Sequence, residues 1–189
     1  MKKAFPIALM VLGLVFVAGG GYAVFRGLDA KEQVRDELVA QNITLPEDAK
    51  ELVGATPGAR VDDANTAEQM AEIIGIHANE STDGKTYAEL GRYLATGGGD
   101  TNDAEAAVKG SDGRPVANPI RNVAFQASSL RTSLYTSVMA FNVADLVMGL
   151  GLMIGVTGLA VGGLGFALAG LAFPALARRV HVEPIAAQH

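Results

Sequence analysis

Two long stretches without a charged residue constrain this chain more than any other feature. Residues 4–25 form an uncharged run of 22 residues, and residues 146–177 form one of 32 residues. At about 1.5 Å per helical residue the first run makes a helix roughly 33 Å long, which matches a hydrocarbon core of about 30 Å. The second run is longer than one span requires and can tilt or extend into the headgroup zone. The sequence predicts an all-α membrane protein with two transmembrane helices, over residues 4–25 and 146–173.

The charged residues are distributed unevenly around these runs. The segment 26–131 contains 11 Lys and Arg against 18 Asp and Glu, which leaves a net charge of −7. The remaining four cations lie at the two extreme ends of the chain: Lys2, Lys3, Arg178 and Arg179. Positively charged flanks are retained in the cytoplasm, so both ends are predicted to be cytoplasmic. An acidic surplus also argues against a nucleic-acid-binding protein, which needs clustered cations.

This charge distribution predicts a two-span topology in the plasma membrane. Residues 1–3 and 174–189 are the cytoplasmic ends, and residues 26–145 form an extracytoplasmic domain. One rival interpretation is a cleaved signal peptide, with residues 21–23 as the cleavage site, but the apolar run exceeds the usual length of about 7–15 residues. Another is three spans, with a hairpin over residues 132–173 that turns near Gly155–Gly158, but residues 132–145 are too polar to face lipid. We therefore expect two spans.

The predicted extracytoplasmic domain is helical. Apolar residues recur every four positions over 30–38 and predict a helix that continues from the first span. Two capping-box patterns, with Gln or Glu three residues after Thr, predict helices that begin near Thr66 and Thr86. A brief helical turn is expected over 103–109, and residues 42–45 are the one candidate strand.

A long helix over residues 118–145, continuous with the second span, is the most regular prediction. Asn118 is a good N-cap residue and Pro119 suits the first helical position. An apolar seam follows at steps of three and four residues: Ile120, Val123, Ala127, Leu130, Leu134, Val138 and Phe141. We expect this seam to pack on the extension of the first span, and truncation of Leu130 to Ala to cost a few kcal/mol.

Small residues in the two predicted spans indicate close helix packing. The second span contains two pairs of glycines four residues apart and the first span contains one small pair: Gly151 with Gly155, Gly158 with Gly162, and Gly19 with Ala23. Such pairs let helix backbones approach each other in lipid. Two alternatives remain open at this point, since the pairs can join the two spans to each other or dock them on another membrane protein subunit.

The sequence predicts no catalytic, cofactor-binding or metal-binding residue. The chain has no Cys and three His, and His77 is the one His between the spans. No ligand spacing around His77 is recognisable. Asp145 lies at the predicted outer boundary of the second span, where interfacial anchoring or capping, shared with Asn142, is favoured over a proton or cation role.

Three segments carry a resemblance to a known group of proteins. Residues 84–90 (GKTYAEL), 130–141 (LRTSLYTSVMAF) and 148–151 (MGLG) are similar to a group of short actinobacterial membrane proteins, which have a span, an outer segment and a second span. Many of these carry the label "aromatic ring-opening dioxygenase". Such dioxygenases use a His-rich iron site in a soluble domain, which the predicted topology of the three His does not permit. We therefore judge the label wrong and carry over no catalytic residue.

Three functional hypotheses follow from the sequence. The first is a non-enzymatic accessory or scaffold subunit of a larger plasma-membrane assembly, of which a respiratory-chain complex is one example. The second is a self-associating cell-envelope sensor or binding module with an extracytoplasmic ligand-binding domain. The third and weakest is an enzyme or ion-handling protein built around Asp145.

Overall fold

The computed structural model describes the backbone of residues 4–180 and the side chains of residues 4–170. The chain divides into two compact units, one made of its two ends, up to Lys31 and from Val143, and the other of Glu32–Asn142. Four helices and two short strands lie in the described range: α1 (Ala4–Ala40), α2 (Ala49–Val53), α3 (Ala64–Ser81), β1 (Tyr93–Leu94), β2 (Asp100–Thr101) and α4 (Pro119–Val180). Both parts of the chain are therefore mostly helical, as predicted.

Helices α1 and α4 are long and apolar enough to cross a membrane. This confirms the prediction of two apolar helices, and α4 is a single helix from Pro119 to Val180. Its start also agrees with the sequence, because the Asn118 side chain accepts a hydrogen bond from the backbone N–H of Ile120 at 3.0 Å. Residues 1–3 and 181–189, which belong to the predicted cytoplasmic ends, lie outside the described residues.

The Glu32–Asn142 unit has a small core between the helices. Val61 and Ile73 are the largest fully buried side chains in it, and small residues of α3, Ala67 and Ala71, let that helix approach its neighbours closely. Buried residues of α1, of α2 with its flanking segments, and of α4 complete this core: Leu38, Leu45, Ala49, Ala55, Leu134 and Phe141. The core therefore joins the end of α1, α3 and the first part of α4.

Helix α3 begins three residues earlier than the Thr66 capping box predicted. Asp63 is the N-cap, and its carboxylate accepts a hydrogen bond from the backbone N–H of Thr66 at 2.8 Å. The Thr66 hydroxyl in turn accepts one from the backbone N–H of Asp63 at 3.2 Å. A carboxylate is a stronger acceptor than a hydroxyl for the free N–H groups at the start of a helix, so Asp63 rather than Thr66 is the N-cap.

The helices predicted near Thr86 and over 103–109 are absent from the described structure, which has a small sheet there instead. The Thr86 and Glu89 side chains do pair, at 2.7 Å, but only a turn forms. At Gly91 a Cβ atom would lie 2.5 Å from the backbone nitrogen of Thr101. The missing side chain thus lets the backbone of Thr101 lie against Gly91, next to the strands β1 and β2, which pair in antiparallel fashion. The prediction of an all-α domain without strands is wrong for this segment.

The residues of the predicted apolar seam have different environments. Ala127, Leu134 and Phe141 are buried at intervals of seven residues. Val138 packs partly buried against the same core. The other three are exposed: Ile120, Val123 and Leu130. Because Leu130 is 54% exposed, its truncation removes little buried surface, and the cost expected from the sequence is too large.

Candidate functional site

Helices α1 and α4 meet along a row of glycines in the unit formed by the chain ends. A Cβ atom on Gly13 would lie 2.6 Å from the carbonyl oxygen of Gly158, and one on Gly158 would lie 2.7 Å from that of Gly13. One on Gly151 would lie 2.7 Å from the carbonyl oxygen of Gly20. No side chain larger than hydrogen fits at such distances, so the two backbones are in direct contact here.

The contacts repeat with a period of seven residues in an antiparallel register. Three glycines of α1 and four small residues of α4 are buried and face each other in reverse order: Gly13, Gly20 and Gly27, and Ala144, Gly151, Gly158 and Gly165. A seven-residue repeat is typical of two helices that pack along one continuous seam. Small residues at each repeat replace the hydrophobic effect with close van der Waals packing, as in membrane helices.

Some of the residues predicted for helix packing lie in the contact between α1 and α4, and others face open space. Gly151 and Gly158 contact α1 directly, and the Ala23 side chain lies 3.0 Å from the Cβ position of Gly151. A Cβ on Gly162 would be 3.6 Å from Gly13, which is ordinary contact. Gly155 approaches α1 through its backbone nitrogen, opposite Gly20.

Gly19 has the opposite environment, because a Cβ there would meet no atom within 4 Å. Gly19 therefore takes no part in the contact of α1 with α4, and its predicted use against another subunit stays a prediction. Four residues of this contact were not predicted from the sequence: Gly13, Gly20, Gly27 and Gly165. Their signal in the sequence is a spacing of seven residues rather than four.

Asp145 forms an ion pair near the end of this row. Its carboxylate accepts a hydrogen bond from the ammonium group of Lys31 at 2.8 Å. The two side chains are 53% and 37% exposed, so the pair contributes little free energy. The sequence predicts Asp145 at the outer membrane boundary, but it does not predict the pairing with Lys31. That pairing depends on the antiparallel register of α1 and α4, which brings the two residues together.

A cleft of about 920 Å³ opens in the Glu32–Asn142 unit. Ligand sites typically have volumes of about 300–1,000 Å³. Residues from α1, α3, α4 and the segment after α1 line it: Gln33, Val34, Glu37, Leu38, Gln41, Ile43, Met70, Ile74, Leu130, Ser133, Leu134, Thr136, Ser137 and Ala140. The exposure of Leu130 is explained by its place on this wall, where its side chain faces the open cleft.

The polar side chains that line the cleft are two amides, which donate and accept hydrogen bonds, three hydroxyls and one carboxylate: Gln33, Gln41, Ser133, Thr136, Ser137 and Glu37. The hydroxyls of Ser133, Thr136 and Ser137 donate to backbone carbonyls one turn earlier, at 3.1, 2.8 and 3.3 Å. Their oxygen lone pairs remain available. Glu37 is the one charged residue among those that line the cleft. The cleft thus combines an apolar wall with acceptor groups and a negative charge.

His77 takes part in a hydrogen bond between two elements. Its Nε2 lies 2.8 Å from a carboxylate oxygen of Asp48, which joins α3 to the residue that precedes α2. Within residues 4–170 no three His, Asp or Glu side chains are grouped closely enough to hold a metal ion. His181 and His189 lie outside the described residues.

Comparison of the chain with protein-family models, curated proteins and solved structures finds no match to any of them. The glycine row and the cleft are therefore interpreted from their own geometry alone.

Proposed function

We propose that this chain is an integral plasma-membrane protein that serves as a non-enzymatic accessory or scaffold subunit of a larger assembly. The two apolar helices, each with only 11% of its most apolar window buried, leave their outer faces for lipid or for other helices. A core helix of a soluble protein is mostly buried, so this exposure supports a membrane location.

The observation that carries the accessory role is a second set of glycines on those outer faces. A Cβ on any of six glycines in the described part of α1 and α4 would meet no atom within 4 Å. Gly155 is one of them, but its backbone lies against Gly20; the other five are Gly19, Gly21, Gly149, Gly163 and Gly170. A glycine within a helix is less favourable than alanine by about 1 kcal/mol. The pairing of α1 with α4 makes no use of these residues, whereas a close contact with another membrane helix would.

The proposed topology follows the charge distribution. The acidic segment 26–145 faces the outside, and both chain ends remain in the cytoplasm. Such an arrangement places the outer glycines at the depth of the bilayer, where the helices of a partner subunit can reach them. A respiratory-chain complex is one candidate for this assembly.

Co-purification from the native membrane tests this proposal. The tagged full chain, extracted in mild detergent, should bring down a large complex in fixed stoichiometry. A Gly163→Leu variant should lose that complex while the isolated chain remains helical, because Gly163 has open space around it. Recovery of the wild-type chain alone, or as a homo-oligomer, contradicts the accessory role.

A second candidate function, an extracytoplasmic binding module, is favoured by the cleft in the Glu32–Asn142 unit. Its volume of about 920 Å³ suits a small ligand. This candidate does not exclude the first, because the cleft and the outer glycines use different residues.

A further inference from the structure

We propose that the cleft binds an amphiphile with an apolar chain and a cationic amine head. This inference rests on the second candidate function, the binding module, and names the chemistry of its ligand. The argument depends on the walls of the cleft, on its charge and on the state of its hydrogen-bonding groups.

The apolar wall of the cleft favours a ligand with an apolar chain. Leu38 and Leu134 are buried at the contact of α1 with α4, and Ile74 of α3 packs partly buried against them. Met70 and Leu130 add flexible apolar surface to the cleft. Water in contact with such a wall is unfavourable, and a flexible hydrocarbon chain displaces it with a gain in free energy.

The charge of the cleft selects the head group. Glu37 is the one charged lining residue, so a phosphate, sulfate or carboxylate head would meet a like charge and no cation. Arg35, two residues earlier on α1, is engaged with Asp62 at 2.8 Å. The guanidinium of Arg131 lies against Gly75 of α3. Neither arginine lines the cleft.

The hydroxyl groups in the cleft also favour a cationic amine head. The three hydroxyls of the α4 wall have their hydrogens engaged with carbonyl groups, so each offers a lone pair. An ammonium group has three donors and no acceptor. It can donate to these oxygens or to the Glu37 carboxylate, whereas a carboxylate head, an acceptor itself, finds donors among the lining side chains only in the amides of Gln33 and Gln41.

Photolabelling of the full chain in detergent tests the proposal. The probes are an alkyl amine and an alkyl carboxylate of equal length, each with a diazirine on the same chain carbon, and labelled peptides are identified by mass spectrometry. We expect peptides that line the cleft, from residues 33–41, 70–74 and 130–140, to be labelled about fivefold more by the amine, the size expected when an exposed charge attracts one head and repels the other.

Two matched pairs of variants control for position. Glu37→Gln should bring the amine-to-carboxylate ratio to about one, while Asp36→Asn, an exposed acid outside the cleft, should leave the ratio unchanged. Ser133→Phe should place an aromatic ring inside the cleft, obstruct the path of the probe and reduce labelling of the cleft by about tenfold or more. Ser129→Phe, one turn earlier on the same helix and outside the cleft, should not.

The outcomes separate the ligand chemistry from the binding module. Equal labelling of the cleft by both probes, abolished by Ser133→Phe, overturns the cationic head and leaves the binding module in place. Labelling that Ser133→Phe and Ser129→Phe affect equally, or that lies only outside the cleft, overturns both. If Ser133→Phe does not fold, Thr136→Phe, another exposed residue of the same wall, takes its place in this comparison.

Discussion

Asp63 shows how one side chain fixes where a helix begins. Its carboxylate accepts the backbone N–H of Thr66, and this hydrogen bond lowers the pKa of Asp63 below its ordinary value; the Thr66 hydroxyl adds to the effect. The first N–H groups of a helix have no partner within it, so a charged acceptor at the N-cap is worth more than a neutral one. The start of α3 is therefore sensitive to the protonation of one residue.

Replacement of Asp63 by Ala should lower the free energy of unfolding of this unit by about 1 kcal/mol, because the N-cap acceptor is lost. Asp63→Asn keeps a capping oxygen and should cost less at neutral pH. Thermal unfolding of the full chain in detergent micelles, followed by circular dichroism, measures both variants. An Ala variant as stable as the wild type would contradict the capping role.

The lowered pKa of Asp63 also predicts a pH dependence. The folded state holds the carboxylate ionised, so its stabilising effect is complete above the unfolded value of about 3.9 and is lost as the pH falls through the lower folded value. Asp63→Asn should remove this part of the acid sensitivity, and the difference in stability between the two proteins should disappear once the pH falls below the lowered pKa of the folded state. Identical acid unfolding curves for both proteins would contradict this assignment.

Among the elements, the long helices follow from the sequence and the sheet does not. Uncharged runs and the Asn118–Pro119 start place α4 because hydropathy and capping are local properties. The strands β1 and β2 have two residues each and therefore no periodicity to detect. They depend on distant contacts, such as the amide of Asn118, which donates to the carbonyl oxygen of Gly91 at 3.0 Å.

The two candidate sites, the glycine row and the cleft, could likewise be predicted from the sequence to different degrees. The glycine pairs of the second predicted span follow from the sequence because small residues four positions apart are typical of packed membrane helices. Gly13, Gly20 and Gly27 are spaced by seven residues, a pattern that does not by itself indicate close helix packing. The cleft was not predictable, because its walls come from three helices that are far apart in the sequence, and no local pattern specifies a space between them.

Substitutions at adjacent glycines of α1 should have opposite consequences. Gly20→Leu forces a side chain against the backbone of Gly151 and Gly155 and should destabilise the helix pair by about 1–3 kcal/mol or prevent its formation. Gly19→Leu points into open space and should be close to neutral. Resistance of the purified full chain to unfolding by a denaturing detergent compares the two, and equal loss in both would contradict the register.

At the scale of the whole molecule, the antiparallel register and the charge distribution restrict topology independently. Because Gly13 faces Gly158 while Gly27 faces Ala144, the start of α1 and the late part of α4 lie at the same end of the helix pair. If this pair crosses a membrane, both chain ends emerge on one side of it. The register does not say which side; the four terminal cations favour the cytoplasm.

The absence of cysteine allows a direct test of that side. Ser111→Cys, in an exposed loop, and Gln188→Cys, near the end of the chain, each introduce a single thiol. We expect a membrane-impermeant maleimide to label the first in intact cells and the second only after permeabilisation. An N-terminal cysteine tag should behave like Gln188→Cys. Labelling of both ends from outside would contradict the charge rule but not the helix pair, whereas ends on opposite sides would contradict the antiparallel register itself.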